Sequence, residues 1–226
     1  MRFVGGAPAA VLAAARDMLR RGLVEGTAGN ISARQEDGTI VITPSSVDYG
    51  DMQLDDLVVV DPAGAILSCR AGRSPSSEKL LHLGCYSAFD DVGSVIHSHP
   101  VYATMFAVTH QGIPACIDEF SIYVGGDVRC TAYAASGTAQ VGTAAVEALR
   151  GRGAALIANH GLVAVGPGPH QAMHITALVE RSARIVWGAR SLGPLVPLPP
   201  EADSGFAAVY SHLRQNPPES SGGRHG

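Results

Sequence analysis

The stretch Gly93-Ser94-Val95-Ile96-His97-Ser98-His99-Pro100 decides how the middle of this chain folds. Its β-branched residues favour a strand. Because alternate side chains of a strand point to the same face, His97 and His99 place two imidazoles side by side. Pro100 cannot donate a hydrogen bond to a sheet, so it marks the strand's end. The pattern predicts half of a divalent-metal site, although two histidines on a solvated strand face would also explain it.

Composition limits the class of protein. The chain has 226 residues, 46% of them hydrophobic and 16% charged, which is typical of one globular α/β domain. The formal net charge of −4 argues against partnership with nucleic acid or with an anionic membrane. No apolar run is long enough to span a bilayer.

Cysteine usage and the N-terminus predict a cytoplasmic location. The first residues lack the basic and apolar regions of a signal peptide. Without an export signal, scattered cysteines are expected to be free thiols. The four cysteines show no Cys-x-x-Cys spacing: Cys69, Cys85, Cys116 and Cys130.

Periodicity and turn residues predict the order of elements along the chain. Helices are expected at 8–22, 74–89, 102–109, 136–151 and 169–189, with a short amphipathic piece at 206–213. Strands are expected at 31–34, 39–43, 57–61, 65–68, 94–99, 128–133, 154–158 and 162–166. The first four strands form an antiparallel meander. Residues 1–200 are assigned to one domain and residues 201–226 to a largely flexible tail.

Three short segments carry groups suited to binding an anion. The segment 26–30 is rich in glycine, the segment 43–46 presents hydroxyls on a turn, and Ser76 and Ser77 precede a helix. Backbone N–H groups of such turns and helix ends bind phosphate. Ordinary turns and helix caps use the same residue types, so both interpretations stand at this point.

A third histidine completes a plausible metal site. His160 follows a buried strand in the turn Asn159-His160-Gly161, and catalytic zinc commonly has three protein ligands. Glu78, at the start of a helix, is a candidate fourth ligand or general base. Its alternative role is to stabilise the helix dipole. His170 and His174, four residues apart on a helix, form a weaker candidate pair, and His82 is interpreted as a structural histidine.

The order of these blocks resembles the class II aldolase/adducin family. The blocks are Gly-Thr-Ala-Gly-Asn (26–30), Thr-Pro-Ser-Ser (43–46), Ser-Ser-Glu (76–78), His-x-His (97–99) and Asn-His-Gly-Leu (159–162). Each block is short, but five in this order at matching separations are specific, and the resemblance covers about residues 8–200.

The resemblance implies a three-layer α/β/α fold with a mainly antiparallel central sheet. It implies a homotetramer with active sites between subunits, acting on a phosphorylated sugar. It also implies Zn²⁺, or another divalent metal, held by His97, His99 and His160, with Glu78 as an acid/base that can also bind the metal. The implied phosphate pocket comprises Gly29, Asn30, Ser45, Ser46, Ser76 and Ser77. The activity nearest to this pattern is aldol cleavage of a ketose 1-phosphate, such as L-fuculose 1-phosphate, into dihydroxyacetone phosphate and an aldehyde.

Other chemistry on the same scaffold stays open. Family members include 4-epimerases, dehydratases, decarboxylases and adducin-like proteins without the histidines. All three histidines are present here, which argues against a purely structural role. Glu119 lies where the dehydratases carry an acidic residue, so it is a candidate acid/base. Lys79 is the only lysine, which argues against a Schiff-base aldolase.

Two positions depart from the aldolase pattern. Ser46 stands where the phosphate turn usually ends in glycine, so its side chain either adds a donor or crowds the pocket. The aldolases also supply a tyrosine from the neighbouring subunit after an Ile-Pro-Ala segment. Here the nearest tyrosine is Tyr123, which leaves the proton donor for the aldehyde open.

Overall fold

A computed structural model describes residues 6–216, and an eight-stranded sheet forms the centre of the fold. The strands lie in the order β4-β3-β2-β1-β5-β8-β7-β6, and every neighbouring pair is antiparallel except β6 and β7. The strands are β1 (Asn30–Arg34), β2 (Ile40–Ile42), β3 (Val58–Val60), β4 (Ile66–Ser68), β5 (Ser94–Ser98), β6 (Arg129–Cys130), β7 (Ala154–Ile157) and β8 (Gly161–Gly166). The predicted meander is confirmed as β1 to β4.

Helices cover both faces of this sheet. They are α1 (Ala7–Arg20), α2 (Lys79–Ala88), α3 (Val101–Val108), α4 (Asp118–Val124), α5 (Ala139–Leu149), α6 (Pro169–Ala189) and α7 (Pro200–Gln215). Helices α2 and α5 pack on one face, where Val95 and Val163 point. Helices α1, α3, α4 and α6 pack on the other, where Ile96 and Leu162 point. The α/β/α arrangement with a mainly antiparallel sheet is therefore confirmed.

The alternation of buried side chains explains this layering. Strand β5 is buried along its whole length because both of its faces are covered. Successive residues of a strand point to opposite faces, so Val95 and Ile96 enter different apolar clusters. A strand covered on both faces can carry apolar side chains at successive positions, as Val95 and Ile96 do here.

Some element boundaries differ from the sequence-based prediction. Helix α2 begins at Lys79 rather than near Ser74, because Pro75 pairs with Pro44 in an isolated antiparallel bridge before the helix starts. Helix α4 was not predicted. It is only 7 residues long, too short to develop a clear periodicity.

The C-terminal segment carries a longer helix than the amphipathic piece predicted at 206–213, because α7 covers Pro200–Gln215. The assignment of residues 201–226 to a largely flexible tail stays a prediction. Helix α7 packs against α4, and its Arg214 pairs with Asp91. The last predicted stretch, 217–226, lies outside the described residues. None of the helices within 6–216 is both long and apolar enough to cross a membrane.

Candidate metal centre and active site

Four side chains converge at one end of the central strands. These are Glu78, His97, His99 and His160, and one ligand atom from each lies within 4.8 Å of all the others. The Nε2 atoms of His97 and His99 are 2.9 Å apart. The Glu78 carboxylate lies 3.1 Å from His97 Nε2 and 3.5 Å from His160 Nε2. The structure thus brings together all four predicted metal-site residues.

Sheet pairing explains why residues distant in sequence meet here. Strand β5 lies between β1 and β8, with Asn30 opposite His97 and Leu162 opposite Ser98. The turn from β7 into β8 carries His160 to the same end of the sheet. Asn159 in this turn adopts φ 56°, a left-handed conformation that asparagine accepts more readily than most residues.

A backbone hydrogen bond orients the central imidazole. His97 Nδ1 lies 3.0 Å from the carbonyl oxygen of Leu162. A carbonyl can only accept, so Nδ1 donates its proton to Leu162, and Nε2 faces the cluster. Metal-binding histidines commonly use the second nitrogen in this way.

Burial keeps the other imidazoles in the form that binds metal. Burial, followed by the neighbouring His97 and His160, lowers the pKa of His99 to about 4, against the opposing influence of Glu78. Burial and His97 also lower the pKa of His160. Both rings are therefore neutral near pH 7, and neutral imidazole is the ligand that divalent zinc takes.

The Glu78 carboxylate is buried but well supplied with partners. Asn30 Nδ2 donates to Oε2 at 3.0 Å, and Ser136 Oγ donates to Oε1 at 2.9 Å. Burial raises the pKa of Glu78, but the interactions with His97, His160 and Asn30 outweigh it and hold the pKa below its usual range. The carboxylate is therefore ionised at neutral pH. Three imidazole nitrogens and one carboxylate oxygen are a donor set that fits a divalent transition metal, and zinc among them.

Two glycines permit the close approach of strands at this end. A Cβ on Gly29 would lie 2.7 Å from the carbonyl oxygen of His97, and Gly29 has φ 74°. A Cβ on Gly161 would lie 2.5 Å from the carbonyl oxygen of Ser98 and 2.8 Å from the His99 ring. Any larger residue at Gly161 must therefore push β8 away from the strand that carries two histidines.

Gly161→Ala is expected to disturb the site as well as the fold. The added methyl meets backbone that cannot move freely, so we expect a loss of about 1–3 kcal/mol in unfolding free energy, as for other overpacked positions. Denaturant titration measures this loss, and the metal content of the purified variant should fall with it. Gly188→Ala, where nothing lies within 4 Å of the added Cβ, is the matched control. Equal stability of the two variants would contradict the close-approach argument.

The residues of the predicted phosphate pocket lie in three adjoining segments. Ser76 N–H donates to the carbonyl of Thr43 at 3.1 Å, and Ser45 N–H donates to the carbonyl of Ser74 at 2.9 Å. These bonds join the 43–46 turn to the segment before α2. The Tyr49 hydroxyl donates to the carbonyl of Gly29 at 2.5 Å and attaches the glycine-rich segment.

The individual pocket residues differ in what their side chains already contact. Ser76 is buried, and its Oγ accepts the Glu78 N–H at 3.2 Å, whereas Ser77 is exposed. Ser46 is exposed and has φ 58°, a left-handed backbone conformation. This explains why the aldolase pattern usually has glycine at this position of the turn. The side-chain amide of Asn30 lies between Glu78 and His82. The assignment of these residues to phosphate binding stays a prediction.

A comparison with known protein families agrees with this set of site residues. A model of the family described as Class II Aldolase and Adducin N-terminal domain matches residues 9–187. The chain belongs to this family. The enzymes of this family depend on a divalent metal, which agrees with the donor set at the sheet end, and the chain is an enzyme of this class.

Relatives within the family carry several activities. A 5-methylthioribulose-1-phosphate/5-deoxyribulose-1-phosphate aldolase of Rhodospirillum rubrum is 38% identical over 174 residues, 77% of either chain. A 5-deoxy-D-ribulose 1-phosphate aldolase of Bacillus thuringiensis is 33% identical over 206 residues, 91% of this chain and 95% of its own. An L-ribulose-5-phosphate 4-epimerase of Salmonella paratyphi C is 35% identical over 191 residues, 79% and 82% of the two chains. Among solved structures, an L-fuculose 1-phosphate aldolase has TM-score 0.86 and 32% identity, covering 91% of this chain and 96% of its own.

Two candidate acid/base residues lie outside the four-residue cluster. Glu119 on α4 pairs with Arg181 at 2.8 Å, and its side chain is 42% exposed. Tyr123, on the same helix and also 42% exposed, packs its ring edge-on against His174, with centroids 4.9 Å apart. His170 and His174 do not belong to the cluster either.

Sequence reasoning missed two contributors to the Glu78 environment. Ser136 was interpreted only as the start of α5, yet its hydroxyl reaches Glu78. His82 was interpreted as a core histidine, but it hydrogen-bonds Asn30, which in turn bonds Glu78. No sequence signal pointed to Ser136. For His82, a polar side chain on a buried helix stripe four residues after Glu78 was a usable signal.

Proposed function

We propose that this class II aldolase-family enzyme cleaves a ketose 1-phosphate into dihydroxyacetone phosphate and an aldehyde, with a divalent metal, most simply Zn²⁺, at the four-residue cluster. The observation that carries the proposal is the convergence of three imidazole nitrogens with a buried, ionised carboxylate. Converging ligands of this kind would hold a divalent metal, which would supply Lewis-acid chemistry.

The chemistry divides between the metal and the protein. A bound metal supplies stabilisation of the negative charge that develops on adjacent substrate oxygens when the C3–C4 bond breaks. Glu78 is positioned to hold and return the proton at the carbon that carries this charge. Its ionised state suits it to accept a proton, and Asn30 and Ser136 hold the carboxylate in a fixed orientation.

The phosphate group anchors the substrate in this proposal. Ser77 precedes α2 with an exposed hydroxyl, and the N-terminal end of a helix attracts anions. Binding energy gained at the phosphate fixes the reacting carbon beside the metal. The single lysine of the chain, Lys79, donates to the carbonyl of Gly64 at 2.8 Å, so it is engaged elsewhere.

Replacing both Ser76 and Ser77 by alanine is expected to raise KM for the phosphorylated substrate more than it lowers kcat. Hydrogen bonds to a charged group contribute about 1.5–3 kcal/mol each, so a rise of at least tenfold is expected. Single variants separate the roles. Ser77→Ala tests the exposed hydroxyl, whereas Ser76→Ala also removes the acceptor of the Glu78 N–H. A double variant with altered thermal stability and unchanged KM would mean that the serines only cap the helix.

A substrate panel tests the activity directly. The names of the Rhodospirillum and Bacillus relatives make 5-deoxyribulose 1-phosphate and 5-methylthioribulose 1-phosphate candidates beside L-fuculose 1-phosphate. We expect dihydroxyacetone phosphate from at least one of them, loss of activity with chelator, and recovery with Zn²⁺. Product identification by NMR reports the aldehyde. Failure to release dihydroxyacetone phosphate from any ketose 1-phosphate would overturn the proposal.

A 4-epimerase is the second candidate because of the 35% identity to the Salmonella enzyme. Epimerisation and aldol cleavage both break a bond of a phosphorylated ketose. Both also need the resulting negative charge to be stabilised, so one metal site serves either reaction. L-Ribulose 5-phosphate in the same panel separates them. An epimer formed without a released triose phosphate favours this second function.

The proposal also includes a homotetramer with active sites between subunits. Helix α3 exposes Val101, Met105 and Val108, which lie on one face at helical spacing. Apolar residues gathered in this way mark interaction surfaces. Glu119 and Tyr123 lie outside the cluster of their own chain, so a neighbouring subunit's copies are candidates for the missing proton donor. Light scattering of the purified protein measures the oligomeric state, and a monomer with full activity would exclude this part.

A further inference from the structure

A continuous line of polar side chains runs through the core to Glu78. The Tyr86 hydroxyl lies 2.7 Å from Ser32 Oγ, and Ser32 Oγ lies 2.6 Å from His82 Nδ1. On the other side of the ring, His82 Nε2 lies 2.5 Å from Asn30 Oδ1. Asn30 Nδ2 then donates to the Glu78 carboxylate at 3.0 Å. The four residues that lead to Glu78 are all buried, and His82 and Ser32 have no exposed surface.

The donor and acceptor roles along this line are determined from the carboxylate end. An ionised carboxylate accepts only, so the Asn30 amide must turn its NH₂ toward Glu78 and its oxygen toward His82. His82 Nε2 must then carry the proton, which leaves Nδ1 as an acceptor for the Ser32 hydroxyl. Ser32 in turn accepts from Tyr86. Every bond of the line is satisfied in one orientation and no alternative orientation satisfies all of them.

Burial fixes the protonation state that this orientation needs. Burial, followed by the influence of His97, lowers the pKa of His82 to about 3 against the opposing effect of Glu78, so the ring is neutral at working pH. A neutral ring has one donor and one acceptor, which matches its two partners. Helix α2 could fill this position with an apolar side chain at no polar cost, as it does at Leu81 and Cys85.

We propose that His82 is a positioning residue for the reaction, which holds the Asn30 amide so that it donates to Glu78 and keeps that carboxylate aimed at the metal and substrate. The inference rests on the proposed function, in which Glu78 transfers the proton. Without the His82 donor, the Asn30 oxygen is left buried and unpaired, and the amide rotates or withdraws. Glu78 then loses one of its two neutral hydrogen-bond donors.

The test compares kcat and KM for His82→Leu, His82→Gln and Leu81→Ala at a temperature well below all unfolding midpoints. His82→Leu is expected to lower kcat about tenfold to a hundredfold with little change in KM, the range found for residues that orient metal-site groups. His82→Gln keeps an amide N–H donor and is expected to recover much of this loss. Leu81→Ala destabilises the same helix without touching Asn30, so it should keep kcat near the wild-type value.

A double-mutant cycle separates positioning from general destabilisation. Because His82 acts through Asn30, adding His82→Leu to Asn30→Ala should lower kcat little further, although it should still lower the unfolding midpoint. Additive losses in kcat, or an unchanged kcat in His82→Leu, would overturn the inference. Glu78→Gln keeps the two proposals distinguishable. If that variant is inactive while His82→Leu is fully active, only the positioning role fails, whereas an active Glu78→Gln removes the proposed proton transfer itself.

Discussion

Glu78→Gln is expected to fold, to retain its metal and to lose about 10²–10⁴ in kcat, the usual contribution of a positioned acid/base. The amide keeps the shape of the side chain and removes the group that accepts the proton. A role confined to the helix dipole predicts a far smaller effect, about 0.3–1 kcal/mol in stability and no change in rate. The structure already disfavours that role, since the carboxylate points into the histidine cluster and makes no capping hydrogen bond.

Three measurements decide the Glu78 prediction. Steady-state kinetics give kcat, metal analysis shows whether the three histidines still hold the ion, and denaturant unfolding gives stability. Glu147→Gln is the matched control, because this exposed helical glutamate pairs with Arg150 near the helix end, away from the histidine cluster. A Glu78→Gln variant with nearly full activity would make Glu119 the next candidate for the acid/base. Glu119→Gln should then abolish turnover, and a dehydratase-like reaction would become the better interpretation.

The cluster could be predicted from sequence because the spacing of its histidines is characteristic of a metal site. His97 and His99 share a strand face by the alternation rule, and their strand is marked by β-branched residues and a terminal proline. The order of five short motifs then identified the family and, with it, the layers of the fold. Periodicity also placed α6 correctly at Pro169–Ala189, since a helix of 21 residues averages out local exceptions.

The interactions that surround the cluster could not be predicted in the same way. Ser136 and Glu78 are 58 residues apart, and His82 and Asn30 are 52 apart, so only the tertiary fold decides that they meet. Serine and asparagine are also the usual residues of caps and turns. Ser136 and Asn30 could therefore be interpreted either as local capping or turn residues or as part of the site. The short helix α4 and the long α7 show the same limit. Their positions depend on packing against each other rather than on strong local preference.

Removing one metal ligand is expected to abolish activity by removing the metal. The purified wild-type protein should carry about one divalent ion per chain, and His97→Ala or His99→Ala should lose most of it. Both variants take one imidazole from the cluster, but His99 is half-buried whereas His97 is fully buried, so replacement of His99 disturbs the fold less. Agreement between the two variants therefore attributes the loss to the ligand and not to the core. His170→Ala, an exposed histidine outside the cluster, is the matched control and should keep both metal and activity.

The identity of the metal follows from reconstitution. Three imidazoles and one carboxylate favour Zn²⁺ or a neighbouring transition metal over Mg²⁺ and Ca²⁺, which prefer all-oxygen sites. Chelated wild-type protein should regain turnover with Zn²⁺, and Mg²⁺ should fail to restore it. The ligand variants should regain little with any ion at low concentration, because each has lost one of the imidazoles that hold it. Wild-type protein that remains fully active after complete removal of metal would contradict the metal site and the charge stabilisation derived from it, and Glu78 would then have to act without a Lewis acid beside it.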